Sequence, residues 1–93
     1  MTLAEFRSTP EVPVGLGAPL CALWHDASGN WDSAHVCVQD DDSHEASWVH
    51  AYLHRKEGDS SNAGYWYARA GKPRFHGSLE DEWNEIARAL LAE

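Results

Sequence analysis

Shifted by 29 residues, the sequence overlaps itself. Ala22-Leu23-Trp24-His25 then lies over Ala51-Tyr52-Leu53-His54, Gly29-Asn30 over Gly58-Asp59, and Ala34 over Ala63. Val36 and Val38 fall on Tyr65 and Tyr67. Each copy reads as helix, tight turn, helix. The glycine supplies the left-handed residue that ends the first helix, and Asn or Asp accepts hydrogen bonds from the amides that open the second. The shared alanine lets two helices approach closely. A single hairpin of this kind cannot bury its apolar face alone, so a fixed-period repeat predicts hairpins stacked side by side.

Capping and breaking residues set the expected boundaries. Pro19 suits the first turn of a helix that runs to about Ala27 and stops near Gly29. Asn30 caps a second over Trp31–Gln39, and Ser43 a third over His44–Glu57. Asp59 caps a fourth over Ser60–Ala70, closed by Gly71 with Pro73 beyond. Ser78 caps a fifth over Leu79–Ala92, whose Leu79, Trp83, Ile86, Ala87 and Leu90 form one apolar stripe. Pro10, Pro13, Gly15 and Gly17 predict an extended N-terminal arm over residues 1–17. The expected architecture is all-α: this arm, then a single helical-repeat domain over 18–93. That domain comprises a hairpin at 18–40, a hairpin at 43–71 and a capping helix at 78–92 that seals the apolar end of the stack.

Residues 47–73, and more weakly 18–40, resemble tetratricopeptide repeats. The matching features are Ala51, Gly58, Ala63, Tyr67, Ala70 and the following Pro73. His50 and His54 stand where that family usually carries leucine and tyrosine. The resemblance implies a divergent repeat of two stacked helix-turn-helix hairpins and a role as a small protein- or peptide-binding adaptor. The stretch from Trp48 to Asp59, with Asn62–Tyr67 and Arg69–Pro73, is also similar to a segment of small bacterial proteins with no established activity. That likeness implies a bacterial origin.

Charge narrows the partners. Fifteen Asp and Glu against seven Lys and Arg give a net charge of −8, which nucleic-acid phosphates repel. The one basic cluster, Arg69, Lys72 and Arg74, sits where a helix C-terminus favours positive charge. No apolar run approaches the roughly 20 residues of a membrane helix, and no basic start followed by an apolar stretch marks a secretory signal. The expectation is a cytoplasmic protein that binds neither nucleic acid nor membrane. Cys21 and Cys37 are too few for a disulfide framework and are expected reduced and buried.

Two constellations are candidates for function. Trp48 and Tyr52 share a face of the third helix, and Arg55 continues the row. Aromatic and arginine residues are common binding anchors, and the tetratricopeptide resemblance places this row in a peptide groove. The second constellation is the six histidines. His50 and His54 have the His-x-x-x-His spacing of helical metal ligands, and Glu57 lies near the same face. His25 is the repeat equivalent of His54, and His35 lies on the second helix. An antiparallel turn at Gly29 sets Cys21 level with Cys37, so Cys21, His25, Cys37, His50 and His54 form one conceivable cluster.

The leading expectation is that these imidazoles pack between helices with a hydrogen bond on one nitrogen, and that the protein holds no metal or other cofactor. The alternative is a polar pocket of His25, His35, His50, His54 and Glu57 serving a small-molecule-binding protein or a metal-dependent enzyme. No catalytic residue is assigned: there is no phosphate loop and no Gly-x-Ser-x-Gly elbow. A homodimer formed through exposed aromatics is a third reading.

Overall fold

The computed structural model describes residues 1–92; Glu93, the last residue of the expected 18–93 domain, lies outside them. The described residues form α1 (Leu3–Ser8), α2 (Ala18–Ala27), α3 (Trp31–Gln39), α4 (His44–Lys56), α5 (Ser60–Ala70) and α6 (Leu79–Leu91), with no strand among them. Four starts use the expected caps. The side chains of Asn30, Ser43, Asp59 and Ser78 accept from the backbone N–H of Ser33, Ala46, Asn62 and Asp81. Each bond satisfies one amide that the helix itself leaves unpaired.

The α2–α3 and α4–α5 turns have one geometry. Gly29 and Gly58 take φ of 83° and 89°. Asn30 N–H donates to His25 O at 2.9 Å, and Asp59 N–H to His54 O at 2.9 Å. The sequence match of Gly29-Asn30 with Gly58-Asp59 thus corresponds to two turns of like geometry.

The N-terminal arm differs from expectation. Its start is helical, because Thr2 and Glu5 form a reciprocal capping box. Thr2 N–H donates to Glu5 Oε1 at 2.8 Å, and Glu5 N–H to Thr2 Oγ1 at 3.2 Å. Leu3 and Phe6 are buried, and Phe6 stacks on Trp83 at 5.7 Å. Arg7 Nη1 donates to Asn84 Oδ1 at 2.6 Å, and Trp24 Nε1 to Thr9 O at 3.1 Å. Residues 9–17 carry the prolines and continue without helix.

α2 packs on α3 and α4 on α5; α3 meets α4, while α6 lies against α1, α2 and α4. Leu23, Val38, Val49, Leu53 and Ile86 fill the centre. Ala34 and Ala63, equivalent in the repeat, are buried at α2–α3 and α4–α5. Trp83 and Ile86 turn inward from α6, and Trp83 Nε1 donates to Leu23 O at 3.0 Å. Two buried carboxylates brace the core. Asp26 accepts from Tyr52 Oη at 2.7 Å and Lys56 Nζ at 2.9 Å. Glu82, with no exposed surface, accepts from Arg55 Nη1 at 3.0 Å and from Tyr67 Oη. Buried charge is tolerated when it is paired and hydrogen-bonded in this way.

Candidate functional site

α3 and α4 bring three imidazoles together. Helical spacing places His50 and His54 on one face of α4, one turn apart. Their rings stack at 4.8 Å. His35 comes across from α3, its ring 4.7 Å from that of His50 and 5.4 Å from that of His54. His50 Nε2 and His35 Nε2 are 3.0 Å apart, and one ligand nitrogen from each of the three rings lies within 4.8 Å of the others. His50 and His54 are buried, and His35 is half-buried on the solvent side.

Two indoles and two polar groups frame the cluster. Trp31 stacks on His35 at 5.0 Å, an i,i+4 pair on α3, and its Nε1 donates to Leu53 O at 2.8 Å. Trp66 of α5 stacks on His50 at 3.9 Å. Glu57 Oε1 lies 2.6 Å from His54 Nδ1. A carboxylate at that nitrogen holds Nδ1–H as a donor and fixes the orientation of the ring. Asn62 Nδ2 is 3.5 Å from His54 Nε2. His50 Nδ1 is buried with no hydrogen-bond partner. An unmet buried polar atom costs about 1–3 kcal/mol, and a bound water or ion is one way to meet it.

The electrostatics favour the neutral form of His50 and His35. Burial, then the neighbouring His54 and His35, push His50 down to about 4. Burial and His54 also lower His35, against the opposing pull of Glu57 and Asp32. At neutral pH both are uncharged imidazoles, the form that binds metal.

The residues of the one conceivable cluster fall into two groups. His25 joins Cys21 and Cys37 between α2 and α3, while His35 joins His50 and His54. The level pairing of Cys21 with Cys37 does hold, with their sulfurs 3.5 Å apart. Both thiols are half-buried rather than fully buried. The row of Trp48, Tyr52 and Arg55 divides among structural partners. Trp48 is 8% exposed and Tyr52 3%. Trp48 lies under Lys72 Nζ at 4.3 Å, Tyr52 is bonded to Asp26, and Arg55 is held by Glu82 and Gly77 O. The three border different clefts. Trp31, Trp66 and Asn62 are site residues that the sequence reading missed. The Trp31–His35 spacing was a usable signal; the approach of α5 to His50 left none.

Comparison with known proteins finds no matching family model, no similar curated protein and no similar solved structure.

Proposed function

We propose that this chain binds a transition-metal ion of the zinc class through His35, His50 and His54. The observation that carries this reading is the convergence of three imidazole nitrogens within 4.8 Å of one another. Zn–N bonds of about 2.0–2.1 Å in a tetrahedral site set neighbouring nitrogens about 3.3 Å apart. The 3.0 Å between His35 and His50 is close to that, and ring rotation of His54 supplies the rest. Glu57 supports the reading, since metal-bound histidines commonly donate their other N–H to a carboxylate. Three nitrogen ligands suit zinc, copper, nickel or iron and leave a fourth position to water or a small ligand. The half-buried His35 marks the side from which an ion enters.

The scaffold is best described as two divergent tetratricopeptide-like hairpins closed by α6, on the strength of the repeated Gly-Asn and Gly-Asp turns. The peptide-adaptor reading has weaker support, because Trp48 and Tyr52 are buried and Arg55 is engaged by a buried carboxylate.

Zinc titrated calorimetrically into metal-free Cys21→Ser/Cys37→Ser protein tests the proposal with the cysteines silenced. One ion per chain is expected, with His35→Ala in that background weakening binding at least about tenfold. His35 is half-buried, so its removal leaves the fold standing. Absence of stoichiometric uptake, or equal uptake by the His35→Ala chain, overturns the assignment.

A further inference from the structure

A second group of metal-ligating side chains lies outside the imidazole triad and shares no residue with it. Cys21 and His25 occupy the same face of α2, one turn apart. Cys37 faces them from α3. It meets Cys21 because the two stand equally far in sequence from Gly29, the turn of the hairpin. The sulfurs are 3.5 Å apart, and one nitrogen of His25 lies within 4.8 Å of both. The His25 ring is edge-on to Trp24 and makes no hydrogen bond among the described residues. All three ligands are half-buried, so the group is held by the hairpin yet reachable from solvent.

We propose that Cys21, His25 and Cys37 form a separate, sulfur-rich site for a thiophilic divalent ion of the zinc class between α2 and α3. Sulfurs 3.5 Å apart are in van der Waals contact without being bonded, and little movement would seat both on one ion. A disulfide needs its sulfurs at about 2.05 Å. Two thiolates on one tetrahedral zinc, with Zn–S bonds of about 2.3 Å, sit about 3.8 Å apart. The observed spacing is near the second value, and both cysteines are set on helices that are packed together. A third ligand that makes no hydrogen bond of its own completes a Cys2His set, which leaves one position for water.

Binding must displace the thiol protons, which pass to solvent as the two sulfur–metal bonds form. Uptake therefore weakens as the pH falls.

Cobalt(II) added to the reduced 93-residue chain tests the site, because thiolate-bound cobalt gives a sulfur-to-metal charge-transfer band that imidazole-bound cobalt does not. The band is expected in the native protein, persists in His35→Ala, and falls to half or less in Cys37→Ser with far-ultraviolet circular dichroism unchanged. His25→Ala, at a half-buried ring, provides a second variant: the band remains but the cobalt affinity falls at least about tenfold. No band in the native chain, or an undiminished band in Cys37→Ser, overturns the proposal. So does a chain that forms a Cys21–Cys37 disulfide and takes up no cobalt once that bond is reduced. The triad can fail its own test while this band persists, and the reverse, so the two assignments are separable.

Discussion

Burial against Trp66, with His54 and His35 alongside, holds His50 uncharged far into acid, and that has a consequence for stability. In the unfolded chain an imidazole takes its proton near pH 6.5; in the fold His50 does so only near 4. Its folded value is depressed, so its full contribution is present above pH 6.5 and is lost as pH falls toward 4. The loss is on the order of 3 kcal/mol across that window. Glu82 works in the opposite sense, because burial raises its carboxyl. The expected result, in metal-free protein, is a melting temperature that drops between pH 6.5 and 4, with the drop markedly shallower in His50→Gln. Parallel pH profiles for the two proteins would show that His50 is not the cause. At this scale the sequence revealed only part of the site. His50, His54 and Glu57 are linked by helical spacing alone. His35 and Trp66 reach them through the registers of α3 and α5 against α4, which depend on side-chain packing and leave no periodic trace.

The elements were far more legible than their contacts. Caps at Asn30, Ser43, Asp59 and Ser78, with stops at Gly29, Gly58 and Gly71, are local chemistry that needs no knowledge of the fold. α1 escaped because a six-residue helix shows little periodicity and the nearby prolines outweighed the Thr2–Glu5 box. The two equivalent turns permit a direct comparison. A side chain at φ of 83° or 89° meets its own carbonyl, and Gly29 and Gly58 have nothing else close to an added Cβ. Gly29→Ala and Gly58→Ala should therefore each destabilise the protein by about 1–2 kcal/mol, by similar amounts, in urea unfolding. Very unequal costs would mean that the two turns are alike only in outline.

On the scale of the molecule, the chain start and the last helix hold one another. Phe6 lies on Trp83, and Arg7 reaches Asn84 and Glu80, so residues far apart in sequence close the structure. Phe6 is 1% exposed. Phe6→Ala should cost about 3–5 kcal/mol, read as a lower urea midpoint. A change under about 1 kcal/mol would show that α1 is dispensable. The all-helical class was readable because caps and glycine stops recur along the chain. The closure by α1 was not, since its partner is more than seventy positions away.

The sandwich of Trp31 against His35 and Trp66 against His50 also gives the protein an intrinsic optical gauge. Indole emission is extinguished at short range by ions with unfilled d shells, such as copper(II). Occupancy at the imidazoles would dim these two fluorophores directly, with no dye or label attached.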